Sequence, residues 1–311
     1  MTLLLTRSDL EAVLEPEACA DALRDGFRNA EGAPVAGQRV RTDLPFPGTA
    51  TALIPGLLPG IPAYTVKVNA KFPDARPALR GVICLHSGED GELLALLDSA
   101  TVTAWRTGLA AALGTHVLAA CVEVVGVIGA GAQAELMVRG LGALLPYRAL
   151  VVHDTDGERA AAFAARHGGR VLGSAREVAA VADTVLLATW SRSPLLALAD
   201  TREGQHFTSL GADEPGKQEL AADLLQAALL VVDDRELAAR TGALAAADLP
   251  AEAADTTLGA VLRGEHPGRT AATTRSVYAP VGLPWQDLAL AWVAYRAAER
   301  RGVGRRIDLL N

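Results

Sequence analysis

Lysine is scarce in this chain. Of the 29 basic residues among 311, only Lys67, Lys71 and Lys217 are lysine, and the others are arginine. Lysine presents a compact ammonium group, whereas arginine presents a planar fork, and the two are not interchangeable at a binding site. A lysine in an arginine-rich sequence therefore indicates a position where an ammonium group is needed.

Cysteine is also scarce, and no pattern of metal ligands is present. Cys19, Cys84 and Cys121 are few, odd in number and far apart. This usage predicts reduced thiols in a cytoplasmic protein rather than a disulfide framework or a zinc site. The six histidines show no ligand-like spacing, so we predict no metal.

Long apolar runs and clustered positive charge are both missing. No stretch approaches the roughly 20 uncharged apolar residues of a membrane span, and the run at residues 3–5 is too short for the core of a signal peptide. The net charge of −7 is spread along the chain, without the basic face that nucleic-acid binding needs. We expect neither a membrane nor a nucleic acid as a partner.

The first third of the chain predicts an α+β unit. Apolar positions at helical spacing predict a helix over residues 7–29, opened by Ser8 as N-cap. Short β-like runs follow between residues 38 and 97 (VRTDL, TATALIP, AYTVKVN, GVICLHS and ELLALLD), and the last two form a hairpin around GEDG. Asp98 and Ser99 then open a helix that includes WRTGLAAALGTHVLA.

From residue 122 onward, buried β-runs alternate with helical segments, which predicts an α/β fold with a doubly wound parallel sheet. Residues 240–274 are interpreted as helix and loop. The final segment, WQDLALAWVAYRAAERRG, predicts an amphipathic helix that packs on the first domain. The predicted domains are therefore residues 1–117 with 285–311, and residues 118–284.

The segment GAGAQA at residues 129–134 is a G-x-G-x-x-A fingerprint between a buried strand and a helix. Gly129 permits the tight turn, Gly131 lets the backbone approach a pyrophosphate, and Ala134 allows close packing of helix on strand. A tight α/β turn alone would also use glycines, but the strand–turn–helix context favours a dinucleotide. The predicted cofactor-binding residues of this loop are Gly129, Gly131, Ala132 and Gln133.

Asp154 follows the next strand at about the interval expected of a ribose-binding carboxylate. It would repel a 2′-phosphate. The residues that follow it are Thr155, Asp156 and Gly157, so no arginine stands beside it in the sequence. We therefore predict NAD(H) rather than NADP(H).

Ligands of open α/β sheets bind outside the carboxyl ends of the strands. The loops predicted at those ends contain ATWSRSP, GADEPGKQEL and VGLPWQD. Thr189, Ser191 and Val281 are candidates to contact the nicotinamide end. Ordinary turn chemistry explains them equally well.

GADEPGKQEL, taken in order with VKVNAKFP, WRTGLAAALG, GAGAQA and VGLPWQDLALA, carries a family resemblance. From about residue 35 to its end, the chain resembles the ornithine cyclodeaminase/mu-crystallin family, including its alanine-dehydrogenase members. The resemblance implies a Rossmann domain that binds NAD(P)(H). It also implies an N-terminal α+β domain, completed by the C-terminal helix, that binds substrate and forms a homodimer through its sheet.

The resemblance also assigns site residues. Arg41, Lys67 and Arg106 correspond to the family's clamp on the substrate carboxylate, with Arg39 as an alternative for the first. Asp213 corresponds to its catalytic carboxylate, and Lys67 is assigned to the catalytic pair with it. Without the resemblance, the arginines could be surface or snorkelling residues and Asp213 a turn residue.

The implied chemistry is hydride transfer at the Cα of a small L-amino acid through an iminium, with Asp213 holding or deprotonating the amine. Ornithine cyclodeaminases similar to this chain carry a glutamate where Ala52 stands. GADEPGKQEL is instead close to the alanine-dehydrogenase members. An alanine-type dehydrogenase and an ornithine cyclodeaminase both remain open, with an imine reductase or a non-catalytic crystallin-like NAD(P)H binder as alternatives.

Overall fold

The computed structural model describes residues 1–30, 39–72, 75, 79–212 and 216–309. The chain divides into two compact units. Unit 1 comprises Met1–Thr107 and Leu283–Asn311, and unit 2 comprises Gly108–Gly282.

The strands are β1 (Thr2–Leu5), β2 (Val40–Asp43), β3 (Ala50–Gly56), β4 (Ala63–Lys71), β5 (Leu79–Ser87), β6 (Leu93–Asp98), β7 (Val124–Ile128), β8 (Ala149–His153), β9 (Arg170–Val171), β10 (Thr184–Leu187), β11 (Arg192–Leu196), β12 (His206–Ser209), β13 (Gln218–Leu220), β14 (Leu229–Val232), β15 (Thr256–Thr257), β16 (Ser276–Tyr278) and β17 (Arg305–Ile307). The helices are α1 (Arg7–Val13), α2 (Pro16–Asn29), α3 (Ser99–Leu118), α4 (Ala132–Leu144), α5 (Gly157–His167), α6 (Ala175–Val181), α7 (Ala222–Gln226), α8 (Arg235–Thr241), α9 (Ala243–Ala246), α10 (Leu258–Arg263) and α11 (Pro284–Arg301). No described helix is long and apolar enough to cross a membrane.

Unit 1 is built on a mixed sheet with the strand order β17-β1-β6-β5-β4-β3-β2. Its pairs are antiparallel except for β1 with β6. The predicted hairpin of β5 and β6 is confirmed. Strand β1 was not predicted, since four residues carry little periodicity and its partners β6 and β17 lie far away in sequence.

The predicted single helix over residues 7–29 is wrong in its N-cap and its continuity, although α1 does begin at Arg7. Thr6, not Ser8, caps α1, because its hydroxyl accepts the backbone N–H of Asp9 while the Asp9 carboxylate accepts the N–H of Thr6. The chain breaks at Leu14 and Glu15, and α2 begins at Pro16. Proline lacks an N–H and suits the first position of a helix, not its middle.

The C-terminal helix α11 belongs to unit 1. It packs on α2, where the rings of Phe27 and Trp285 meet edge to face at 5.0 Å. A Cβ on Gly26 would lie 2.2 Å from the indole of Trp285, so this approach requires glycine.

Unit 2 holds a fully parallel sheet with the order β15-β14-β16-β12-β10-β7-β8-β9. The order reverses between β7 and β10, which is the switch point where ligands bind in such sheets. Residues 240–274 contain the edge strand β15, which the sequence analysis missed. Strands β11 and β13 form a separate parallel pair.

The division between the units falls at Thr107/Gly108, inside α3, whereas the sequence placed it at 117/118. The second half of α3 belongs to unit 2 because it packs there. Ala111 and Ala112 are fully buried in a core cluster with strands β7 and β8, and a Cβ on Gly108 would lie 2.4 Å from Leu136. The other division is Gly282/Leu283 rather than 284/285.

Candidate functional site

Unit 1 contains a buried cluster of three charged side chains. Lys67 on β4, Arg106 on α3 and Asp287 on α11 are 1%, 6% and 2% exposed. The Lys67 ammonium donates to one carboxylate oxygen of Asp287 at 2.5 Å, and the Arg106 Nε donates to the other at 3.2 Å. The cluster thus brings together two of the predicted substrate-binding residues and carries a net charge of +1.

Strand register explains why a lysine is buried here. Side chains alternate between the two faces of a strand, and Lys67 lies beside Ile54 on β3 and Ile83 on β5. Both isoleucines are buried, so this face of the sheet is the covered one. Helix α11, which contacts β3, β4 and β5, brings Asp287 to the same face.

Burial and charge together set the ionisation of the cluster. Burial lowers the pKa of Lys67 to about 8, with the charge of Arg106 adding to the effect and that of Asp287 opposing it. Burial raises the pKa of Asp287, but the positive charges of Lys67 and Arg106 outweigh it and hold that pKa below its ordinary value. The aspartate is therefore ionised, and the lysine is the group that titrates near neutral pH.

Two polar atoms beside the cluster have no hydrogen-bond partner. Gln286 accepts from Arg106 through Oε1 at 3.2 Å, but its Nε2 is buried and unpaired. The Oδ1 atom of Asn69, two residues after Lys67 on the same face of β4, is also buried and unpaired. Buried polar atoms normally find a partner. The excess positive charge and the unpaired N–H donor of Gln286 fit a small anion such as a carboxylate, whereas the Asn69 oxygen is an acceptor and would need a donor.

Arg41 is not brought into this cluster. Its side chain is 63% exposed and pairs with Asp43 at 2.8 Å. Arg39, the alternative, is near enough for its charge to lower the pKa of both Lys67 and Asp287. Arg39 therefore fits a third cation of the site better than Arg41.

Sequence reasoning missed Asp287 and Gln286, although both stand in the quoted segment VGLPWQDLALA. One signal was available. A lysine and an arginine predicted to be buried together need a carboxylate partner, because isolated buried charges are strongly unfavourable. Asp287, at the start of an otherwise apolar helical stretch, was the candidate for that partner.

In unit 2, Gly129 and Gly131 shape the loop between β7 and α4. Gly129 has φ +90°, and a Cβ there would lie 2.6 Å from the carbonyl oxygen of Ala188. Gly131 caps α4 without a side-chain hydrogen bond, and the space around its Cα is open. The loop borders a pocket of about 480 Å³ lined by Ala130, Gly131, Ala132, Glu135, Arg159 and Arg166. An uncapped helix N-terminus facing open space fits a pyrophosphate.

Asp154 lies at the end of β8 beside this loop, and it has an arginine neighbour. Its carboxylate accepts the backbone N–H of Ala130 at 2.8 Å, and its side chain is 7% exposed. The guanidinium of Arg159 lies 3.6 Å from Asp154 and 3.2 Å from Asp156. Arg159 is therefore beside Asp154 in space, contrary to the sequence prediction, because the first turn of α5 brings it back to the end of β8.

The three residues predicted to contact the nicotinamide follow the carboxyl ends of strands in unit 2. Each makes a hydrogen bond to another residue of that unit. Thr189 donates its backbone N–H and its hydroxyl to Glu219, a buried carboxylate that the sequence analysis did not single out. The Ser191 hydroxyl donates to the carbonyl of Ser193 at 2.6 Å, which is turn chemistry. The backbone N–H of Val281 donates to Asp233.

Asp213 lies outside the described residues. Gln133 is on the first turn of α4 beside the glycine-rich loop, and its Oε1 is buried and unpaired. In the part of the chain that the structure describes, no three histidine, cysteine or acidic side chains are grouped to hold a metal.

A parallel doubly wound sheet with a glycine-rich loop at its switch point, joined to a second unit with a buried cationic cluster, defines the class of two-domain Rossmann-fold proteins. The model of the ornithine cyclodeaminase/mu-crystallin family matches residues 1–302, and the chain belongs to that family. The resemblance noted in the sequence is thereby confirmed.

Relatives with described activities match nearly the whole chain. An alanine dehydrogenase of Archaeoglobus fulgidus is 29% identical over 98% of each chain. A solved archaeal alanine dehydrogenase dimer with bound NAD is 28% identical over 99% of each chain, with a TM-score of 0.91. The Delta(1)-pyrroline-2-carboxylate reductase of Thermococcus litoralis, solved with NADH and L-proline, is 25% identical over 98% of this chain and 100% of that one, with a TM-score of 0.92.

Proposed function

We propose that the protein is an NAD(H)-dependent oxidoreductase that interconverts a small L-amino acid carrying one amine with its imino or keto acid. Hydride transfer takes place at Cα, so an amino-acid dehydrogenase and an imine reductase are the same chemistry in opposite directions. The nicotinamide accepts or supplies the hydride when bound. The observation that carries the proposal is the buried cluster of Lys67, Arg106 and Asp287.

The cluster supports a carboxylate substrate because of its charge. Asp287 neutralises one of the two cations, and the remaining positive charge matches one carboxylate of an α-amino acid. Charge-assisted hydrogen bonds from a desolvated lysine and arginine are among the strongest that a protein makes. Arg39, whose charge reaches the cluster, is assigned as a further cation of this clamp, and Arg41 as an exposed neighbour.

Ala52 supports a substrate with a single amine. It lies in register between Arg41 on β2 and Asn69 on β4, on the same face of the sheet as Lys67. A second amine on the substrate would need a carboxylate partner on this face, and a methyl group offers none. We therefore place net oxidation or reduction ahead of redox-neutral cyclodeamination.

Asp213 is assigned to the proton on the substrate amine, on the strength of the family resemblance. A carboxylate that removes this proton makes departure of the hydride from Cα feasible, since the nitrogen lone pair then stabilises the cationic iminium. The carboxylate clamp fixes the substrate so that only its Cα–N end takes part in the reaction.

The test is a panel of L-amino acids, with alanine and ornithine first, incubated with NAD+ while NADH absorbance and ammonia are recorded together. We expect NADH and ammonia in equal amounts from alanine or another substrate with one primary amine. Ammonia from ornithine without net NADH would contradict the proposal and establish cyclodeamination. If the protein binds NADH but turns over no substrate in either direction, including imine reduction, the proposal fails and a non-catalytic NADH-binding protein is the remaining function.

We further propose that NAD(H) is preferred over NADP(H) through Asp154 and that Arg159 limits the preference. Its guanidinium partly offsets the charge that would repel a 2′-phosphate. For Arg159→Gln we expect the ratio of kcat/KM for NADH over NADPH to rise about 3- to 10-fold, as one exposed charge contributes about 1 kcal/mol. Arg148→Gln, at an exposed pair with Glu123, is the control. A lower ratio in Arg159→Gln would contradict the role.

We propose a homodimer formed through the sheet of unit 1. Val40, Leu53 and Val68 are neighbours in register on the face opposite Lys67 and are 62%, 45% and 37% exposed. Such a row of exposed apolar side chains is typical of an interaction surface, and the related archaeal alanine dehydrogenase was solved as a dimer. Sedimentation should give twice the chain mass of 32.3 kDa.

Val68→Glu is expected to shift this mass to that of one chain, because it places a charge in the interface. Val171→Glu, at an exposed apolar position of unit 2, should stay dimeric. A dimer that tolerates Val68→Glu would contradict this interface.

A further inference from the structure

Glu219, on β13, is a fully buried carboxylate with four hydrogen-bond donors around it. One of its oxygens accepts the backbone N–H of Thr189 at 2.6 Å and the Thr189 hydroxyl at 2.8 Å. The other accepts the Ser209 hydroxyl and the backbone N–H of Gly211, each at 2.7 Å. The four donors belong to the loop after β10 and to the end of β12 with the loop that follows it, and none comes from β13 itself.

The two loops follow neighbouring strands. Thr189 comes two residues after β10, Ser209 ends β12, and these strands pair in parallel with Leu187 beside Ser209. Glu219 therefore bridges the carboxyl ends of two adjacent strands, beside the switch point of the sheet. In sequence, Gly211 stands two residues before Asp213.

The first of these loops also lies against the glycine-rich loop. A Cβ on Gly129 would come 2.8 Å from the Cγ2 of Thr189. A Cβ on Gly211 would come 2.4 Å from the Glu219 carboxyl carbon and 2.6 Å from the Thr189 carbonyl oxygen. These approaches leave no free space between Glu219, Gly211 and Thr189, so the position of Glu219 sets that of Thr189, which rests against Gly129.

A negatively charged Glu219 suits the four donors around it. Backbone N–H groups can only donate, and an ionised carboxylate can accept all four bonds. Burial raises the pKa of Glu219 above its ordinary value, and its bonds from Ser209, Gly211 and Thr189 limit that rise without cancelling it. A buried carboxylate that makes no ion pair in these contacts is costly, so its four hydrogen bonds must offset the loss of hydration.

We propose that Glu219 is a positioning residue that fixes the loops after β10 and β12 against the glycine-rich loop and thereby places the nicotinamide half of the bound dinucleotide. The inference rests on the dinucleotide binding of the proposed function. Glu219 acts through Thr189 and Gly211. The ADP half is held separately, its pyrophosphate by the N-terminus of α4 and its ribose by Asp154.

The test compares NADH with ADP-ribose, which lacks the nicotinamide. Glu219→Gln keeps the shape but turns one oxygen into an NH2 group, which cannot accept a backbone N–H. We expect its affinity for ADP-ribose to stay within twofold of wild type. Its affinity for NADH should fall about tenfold, the effect of one lost charge-assisted hydrogen bond, and the fluorescence enhancement of the bound nicotinamide should fall with it.

Thr184→Val is the matched control. It removes another buried hydrogen bond of β10, from the Thr184 hydroxyl to the carbonyl of Cys121 at 2.8 Å, at the opposite end of the strand. We expect wild-type affinity for both ligands. Ser209→Ala removes one donor and keeps the carboxylate, so it should show the NADH effect at about threefold even if Glu219→Gln does not fold.

Equal weakening of NADH and ADP-ribose in Glu219→Gln and Ser209→Ala would overturn the inference, since it would show a general structural role. Unchanged NADH binding in both variants would overturn it as well. If the wild-type protein binds neither ligand, the proposed function fails and the inference fails with it. That result is distinguishable, because it appears before any variant is made.

Discussion

Asp287→Asn is expected to destabilise unit 1 by about 3–5 kcal/mol, the cost of breaking a buried ion pair on one side. The substitution keeps the size of the side chain but removes its charge. Lys67 and Arg106, which are 1% and 6% exposed, would then face each other with no carboxylate between them. The free energy of unfolding should be measured by urea titration with tryptophan fluorescence, since Trp105 and Trp285 are buried in this unit.

The control for this prediction is Asp43→Asn. Asp43 pairs with Arg41 in the same unit, but both side chains are more than half exposed. Such pairs contribute about 0–1 kcal/mol. The double variant Lys67→Met/Asp287→Asn should recover part of the loss, because it removes one buried cation together with its partner. A cost below about 1 kcal/mol for Asp287→Asn would contradict the desolvated cluster.

Local patterns in the sequence were sufficient for much of the fold. The G-x-G-x-x-A loop after a continuous apolar run predicted β7, the turn at Gly129 and α4, because each depends on neighbouring residues. The β5–β6 hairpin and α11 were predicted for the same reason. The strands that were missed are short, two to five residues long, and form only through partners that are distant in sequence: β1, β11, β13, β15 and β17.

The site residues were harder to predict from the sequence than the fold. Lys67 and Arg106 were predicted from the family resemblance, and the scarcity of lysine also pointed to Lys67. Asp287 and Glu219 are buried carboxylates that no local periodicity marks. The partners of Asp287 are distant in sequence, and those of Glu219 lie at the ends of other strands. Arg159 shows the same limit. It is five residues from Asp154 in sequence, and only the turn between β8 and α5 makes them neighbours.

Lys67→Met is expected to weaken binding of a substrate carboxylate about 10- to 100-fold, the contribution of one hydrogen bond between charged groups. Pyruvate with NAD+ present is a suitable probe, because it carries the carboxylate without an amine that would titrate in the same range. Affinity can be measured as inhibition of turnover or by calorimetry. Lys71→Met, four residues along the same strand, is the control and should stay within twofold of wild type.

The same variant should lose a pH dependence that the wild-type protein shows. Burial lowers the pKa of Lys67 to about 8, with Asp287 opposing the effect. Below that pH the cluster carries +1, and above it the lysine is neutral and the cluster carries no net charge. The affinity for pyruvate should therefore fall as the pH rises through 8. A bound carboxylate stabilises the ammonium form, so it should shift this fall in affinity to higher pH. Lys67→Met should give a flat profile between pH 7 and 9 at the weakened affinity. An alkaline limb of unchanged position in Lys67→Met would assign the titration to another group and remove Lys67 from the clamp.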